Sequence, residues 1–209
     1  EALYCELQGM ARSVLVWLAE DLQVPPEALL QCVDEASLGN LEEGDCGASC
    51  LRLACYGCSK ETAALEPVPG SMPASDEVLF DEHTDASFLT VAPVGSVPGL
   101  QMRDPSGLEW LDVEEGLCGS GRYAVVFVGD LIEVLTQGKY SAARHRVAGP
   151  PGVGAAAWRN ARRLSMPFLV RGQPKSCIDT ARLMPKNGDG EAEGPLLPIS
   201  GMEYATLRR

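Results

Sequence analysis

The chain holds only two histidines, His83 and His145. His83 opens the triplet His83-Thr84-Asp85, and His145 lies sixty residues beyond Asp85, within Ala143-Arg144-His145-Arg146-Val147. In an extended chain residues i and i+2 project to one face, so His83 and Asp85 can reach one ion while Thr84 points away. His145 must then arrive from a distant strand. Two imidazoles and one carboxylate on one side of a metal leave three coordination positions open, the arrangement suited to non-haem Fe(II) and dioxygen. Sites built on three imidazoles are excluded, because no third histidine exists. A lone His-x-Asp is common, and a hydrogen-bonded surface histidine explains it equally well.

A second i, i+2 pair lies in Arg162-Arg163-Leu164-Ser165-Met166-Pro167-Phe168. Arg163 and Ser165 share one face of a strand with apolar neighbours. A guanidinium turned inward needs an anion. Its planar fork suits a carboxylate, to which a serine hydroxyl adds a further bond. Two other readings stand beside this one: an internal salt bridge, or a solvated arginine on an edge strand.

These residues need a scaffold. Leu3, Leu7, Met10, Ala11, Val14, Leu15, Leu18 and Leu22 recur in steps of three and four and predict an amphipathic helix over 2–22. Val24-Pro25-Pro26 ends it, and Pro26 suits the first turn of a second short helix through Cys32. Residues 38–49 are rich in Gly, Glu and Asp and predict a loop. Alternation then predicts strands at 50–56, 77–82, 87–94, 98–103, 108–113, 123–129, 143–148 and 162–170, with Gly and Pro in nearly every gap. Asp130 is placed to cap a short helical turn through Val134 and Leu135. Residues 149–160 predict a hairpin connection, 174–198 a loop, and 199–207 a short closing helix. Many short strands after a helical lead-in predict a mainly β fold with flanking helices, a jelly roll or double-stranded β-helix. The expected division is a helical flank over 1–49, a jelly-roll core over 50–173, and a C-terminal loop and short helix over 174–209.

Composition narrows the chemistry. A net charge of -12 disfavours nucleic acid, and the basic residues at Arg159, Arg162 and Arg163 are not interleaved with aromatics. A small-molecule partner fits better. There is no apolar run long enough for a membrane span and no basic leader before an apolar stretch, so a cytoplasmic monomer is expected. The chain begins with Glu1, which suggests a fragment or processed form. Of eight cysteines, Cys46, Cys50, Cys55 and Cys58 fall close together. Zinc ribbons separate their pairs more widely, so unrelated thiols are the favoured reading of this cluster.

From about Cys50 to Phe168 the sequence resembles the plant-type Fe(II)/2-oxoglutarate-dependent dioxygenases, the group that includes isopenicillin N synthase. The motifs are His83-Thr84-Asp85 with Ser87-Phe88-Leu89-Thr90, Pro98-Gly99-Leu100-Gln101, Gly107-Leu108-Glu109-Trp110-Leu111-Asp112-Val113, and Val128-Gly129-Asp130. Gly138-Lys139-Tyr140, His145-Arg146-Val147 and Arg163-Leu164-Ser165 complete the series. The opening helix and Gly201-Met202-Glu203-Tyr204 resemble the family's flanking helices.

The resemblance implies that His83, Asp85 and His145 bind Fe(II). It implies that Arg163, Ser165 and Tyr56 hold the cosubstrate 2-oxoglutarate, with ascorbate as an optional reductant. It implies hydroxylation or desaturation of a small organic metabolite with dioxygen, releasing succinate and CO2. The alternatives are an Fe(II) oxidase of the isopenicillin N synthase type that works without 2-oxoglutarate, and a non-catalytic metal-binding barrel. The chain departs from the family around Tyr56, where Ala54 replaces a frequent asparagine and Gly57-Cys58 replaces a Pro-Pro turn. The gaps from Tyr56 to His83 and from His145 to Arg163 are also long.

Overall fold

The computed structural model describes residues 1–34, 48–56, 78–119, 121, 123–149, 162–173, 177–178 and 199–200. Helix α1 (Ala2–Asp21) is stopped by its own backbone before the prolines are reached. Gln23 takes a left-handed φ of 58°. The amide of Gln23 then bonds to the Glu20 carbonyl and that of Val24 to the Ala19 carbonyl, both at 3.0 Å. This is the paired-bond stop usually made by glycine. The buried face of α1 is Tyr4, Leu7, Ala11, Leu15 and Ala19. The expected stripe is therefore rotated: Leu3 and Met10 are exposed, and Tyr4 meets Phe168 edge-on at 4.8 Å. Helix α2 (Glu27–Leu30) is a single turn whose N-cap is Pro26, ending short of Cys32.

The strands are β1 (Cys50–Leu51), β2 (Ala54–Tyr56), β3 (Val78–His83), β4 (Leu89–Pro93), β5 (Leu100–Arg103), β6 (Trp110–Asp112) and β7 (Ala124–Val128). After helix α3 (Asp130–Leu135) come β8 (His145–Ala148), β9 (Arg163–Ser165), β10 (Phe168–Val170), β11 (Cys177–Ile178) and β12 (Ile199–Ser200). One four-stranded sheet has the order β1-β10-β4-β7 and the other β3-β8-β5-β6. Two-stranded ladders β2-β9 and β11-β12 accompany them, and all the pairings are antiparallel.

The predicted strand over 50–56 is interrupted at Arg52 and Leu53, and that over 162–170 at Met166 and Pro167. Each break lets the chain leave the β1-β10 pairing for the β2-β9 ladder. Asp130 is not a cap; Gly129 occupies that position, and Asp130 is the first helical residue. Ile199 and Ser200 pair with Cys177 and Ile178 as a strand, where a helix over 199–207 was expected; 201–207 lie outside the described residues. The loop over 38–47, the hairpin over 150–160, Cys46, Cys58 and the motif at 201–204 also lie outside them.

Strand β4 explains the layering. Leu89 and Val91 join Leu7, Leu15, Leu29 and Ile132 in the main apolar core under the helices. Its other face carries Thr90 and Ala92, and Ala92 packs with Phe127 and Leu100 between the two sheets. Both faces are covered, so the strand is buried along four of its five residues. The helices thus seal one side of the barrel and leave the inter-sheet space for polar groups. Among the described residues no helix is long and apolar enough to cross a membrane.

Candidate metal centre

Strand β3 carries one extra residue between Val78 and Phe80 and another between Phe80 and His83, relative to β8. Such bulges re-aim side chains. Here they end the strand with His83 directly opposite His145 in the register, their rings 4.2 Å apart between centroids. Asp85 does not continue the strand as the alternation argument assumed. It sits in the turn after β3, where its carbonyl accepts the Ser87 amide at 2.9 Å and the Asp130 amide at 2.8 Å. Gly129 makes this possible: a Cβ there would stand 2.3 Å from the Ser87 carbonyl oxygen and 2.8 Å from that of Asp85.

The three side chains converge. Asp85 Oδ1 lies 3.6 Å from His83 Nε2 and 3.9 Å from His145 Nε2. One donor atom from each residue lies within 4.8 Å of the others. The remaining polar atoms are already engaged. His83 Nδ1 is 2.8 Å from the Asp81 carbonyl and His145 Nδ1 is 3.0 Å from that of Ala143. A carbonyl can only accept, so each Nδ1 carries a proton, and in the neutral ring Nε2 is then the nitrogen that presents a lone pair. Thr90 donates its hydroxyl to Asp85 Oδ2, which fixes the carboxylate and leaves Oδ1 turned to the imidazoles. Burial pushes the His145 imidazole below its ordinary value, against the pull of the Asp85 carboxylate; the neutral, ligating form is favoured. Two bare imidazole nitrogens and a carboxylate oxygen are the donor set a non-haem Fe(II) requires.

Tyr56, Arg163 and Ser165 line the same cavity as His83, Asp85 and His145. The β2-β9 register sets Tyr56 opposite Arg163 and Ala54 opposite Ser165. Along β9, Arg163 is buried, Leu164 exposed and Ser165 half-buried, so the expected alternation is present. Arg162 is exposed and does not compete for the interior.

Arg163 is not waiting for an anion. It is 1% exposed, as is Glu114, and the two form an internal ion pair. Arg163 Nη1 lies 3.1 Å from Glu114 Oε2, and Nη2 donates to Oε1 at 3.2 Å. Nη1 also donates to the Val97 carbonyl at 2.6 Å. The sequence leaves a salt bridge open for Arg163 but does not single out Glu114, which follows the β6 strand as one of two adjacent glutamates. Nothing in the sequence distinguishes the inward Glu114 from its neighbour Glu115. Thr90 was legible only as part of a motif string, not as the residue that orients Asp85. Among the described residues, Cys50 and Cys55 belong to no metal-ligating cluster.

A β-sandwich barrel with two imidazoles and a carboxylate at one end of its interior defines a non-haem metal oxygenase scaffold. The model for the 2OG-Fe(II) oxygenase superfamily matches residues 48–172, more than half of the chain, and the chain belongs to that superfamily. The superfamily characteristically uses Fe(II) and 2-oxoglutarate, and the fold is the double-stranded β-helix. Gibberellin 2-beta-dioxygenase 4 of Arabidopsis thaliana is 30% identical over 154 residues, covering 69% of this chain and 42% of the relative. Isopenicillin N synthase of Flavobacterium sp. is 31% identical over 107 residues, covering 51% and 28%. The crystal structure of a full-length Neurospora crassa protein in complex with alpha-KG superposes with a TM-score of 0.68 at 21% identity. It covers 99% of this chain and 54% of that one, a likeness of fold. The chain spans less than half the length of these curated relatives.

Proposed function

We propose that this chain is the barrel of an Fe(II)/2-oxoglutarate-dependent oxygenase that hydroxylates or desaturates a small organic metabolite, with release of succinate and CO2. The observation that carries the reading is the convergence of His83, Asp85 and His145 donor atoms within 4.8 Å of one another, in a cavity shared with Arg163, Ser165 and Tyr56. In this reading the first three residues hold Fe(II) and the other three hold the cosubstrate. Relatives named as gibberellin dioxygenases support a small organic substrate.

Bound iron and 2-oxoglutarate supply the oxygen activation. The chain's own residues bind, orient and exclude water. The Asp81 and Ala143 carbonyls hold the imidazole tautomers, and Thr90 holds the carboxylate. Phe127, whose ring lies 4.7 Å from that of His145, and Leu100 line the cavity with apolar surface, which strengthens electrostatic interactions there.

The test is anaerobic addition of Fe(II) and 2-oxoglutarate. The expected result is a visible metal-to-ligand charge-transfer band of the chelate; a folded protein that shows none overturns the assignment. A second reading, an Fe(II) oxidase working without 2-oxoglutarate, draws on one observation: Arg163 already carries a carboxylate. Product formation without stoichiometric succinate would select it.

A further inference from the structure

Arg163, paired with Glu114, lines the cavity assigned above to the cosubstrate, and the inference here rests on that reading. Glu114 is anchored independently of the arginine. Its Oε1 accepts the Gly95 amide and its Oε2 the Leu100 amide, each at 2.9 Å. A carboxylate held by two backbone amides does not swing aside when another anion arrives. Gly95 completes the clamp: a Cβ there would lie 1.8 Å from Arg163 Nη1, so the guanidinium rests directly on the backbone.

The donors of Arg163 can be assigned. A guanidinium has five N–H bonds. One N–H of Nη1 goes to the Val97 carbonyl and one of Nη2 to Glu114 Oε1, and Nη1 also lies 3.1 Å from Glu114 Oε2 as an ion pair. The Nε–H is buried and has no hydrogen-bond partner. Among the described residues, Nε and the second N–H of Nη2 therefore remain as the unused edge of the fork. That edge can still meet a carboxylate with two parallel bonds. The ion offering it, however, is already neutralised by Glu114 at contact distance.

We propose that Glu114 is a specificity-determining residue for the cosubstrate. It positions Arg163 so that only the Nε edge serves the distal carboxylate of 2-oxoglutarate. Its negative charge also weakens the preference for a 2-oxo acid bearing that second carboxylate over one lacking it. The ligand class is a 2-oxo acid of five carbons, with the dicarboxylate only modestly favoured.

Two probes isolate the distal group: 2-oxoglutarate and 2-oxopentanoate, which have the same chain length and differ in a carboxylate against a methyl. Their Kd values are measured by calorimetry on the Mn(II)-loaded protein, for wild type and Glu114→Gln. With Arg163 already neutralised by Glu114, the wild-type ratio is expected below about 30-fold, the equivalent of two ordinary rather than charge-assisted bonds; an unopposed buried fork gives on the order of 1,000-fold. Glu114→Gln is expected to widen the ratio at least tenfold. Damage from the lost acceptor for Gly95 or Leu100 that reaches Arg163 weakens 2-oxoglutarate alone and narrows the ratio, the opposite of the expected change.

Wild-type protein that binds 2-oxoglutarate with a ratio unchanged by Glu114→Gln overturns this inference alone. A wild-type ratio near 1,000-fold does the same, even where the variant fails to fold. Wild-type protein that binds metal but neither acid overturns the cosubstrate reading, and this inference with it.

Discussion

The two ends of the cavity are prepared in opposite ways. At the metal end, every side-chain polar atom of His83, Asp85 and His145 except the three facing one another has a protein partner. At the arginine end, the charge that ought to await a ligand is matched from within by Glu114. Desolvated charge is expensive wherever it is left unpaired. The first end leaves that need for an added cation to meet, and the second has met it beforehand. Affinity for metal should therefore be robust, while discrimination among 2-oxo acids should be slack.

The contrast can be broken from either side. The largest effect is expected from His145→Ala. It removes a bare Nε2 and should lower Fe(II) affinity by more than the roughly 10- to 100-fold typical of outer-shell changes. Retention of one iron per chain, measured by metal analysis after desalting, would place the third ligand elsewhere. Next is Arg163→Ala, which strands Glu114 as a buried charge and should cost about 3–5 kcal/mol. Urea unfolding of the metal-free protein reads this; a loss under about 1 kcal/mol would show that water reaches the pair, in line with the lower bound for exposed contacts.

Thr90→Val comes third. It keeps the shape, frees Asp85 Oδ2 and should weaken metal binding about 10-fold or more while leaving the fold unchanged. Equal affinities would mean that the Asp85 turn alone fixes the carboxylate. The smallest effect is expected far from both ends, at Asp21, which accepts from Lys139 at 2.7 Å and from the Tyr140 hydroxyl. The Lys139 bond, and then that of Tyr140, holds the Asp21 carboxyl below its ordinary 3.8, and Asp21 pushes the Tyr140 phenol up to about 12. A carboxyl whose folded-state pKa is lowered stabilises the fold above its ordinary value, and the stabilisation is lost as pH falls through the folded one. Asp21→Asn should thus lower Tm slightly at neutral pH, and the difference should close well below pH 4 or in high salt. A gap that persists under acid would assign the effect to packing.

How far the sequence reveals this molecule depends on the range of the interaction. Strand positions after Cys50 follow from local alternation and punctuation: a strand overlaps each predicted interval, β3 overrunning its own to His83, while β11 (Cys177–Ile178) falls where a loop was expected. His83, Asp85 and His145 were legible because residue type limits the choice: with two imidazoles in the chain, few sets of ligands are available. The rotation of α1 was not, because Tyr4 and Ala19 are chosen by Phe168 and the sheet beneath, a tertiary preference that periodicity does not contain. Glu114 was hidden for the same reason. Its inward turn is decided by the amides of Gly95 and Leu100 and by a guanidinium forty-nine residues away.

Strands β3 and β8 meet at His83 and His145 after two slips in their ladder. An ion gripped by both imidazoles would fasten those strands where their own backbone pairing is sparsest. Loading should then act as a rivet for the open end of the sandwich, and the melting temperature should climb with free metal in the logarithmic manner of any ligand that prefers the native form. Chelation would loosen this corner first and leave the helix-covered sheet, which meets it through Thr90 and Phe127 and holds none of the three donors, as the last part to give way.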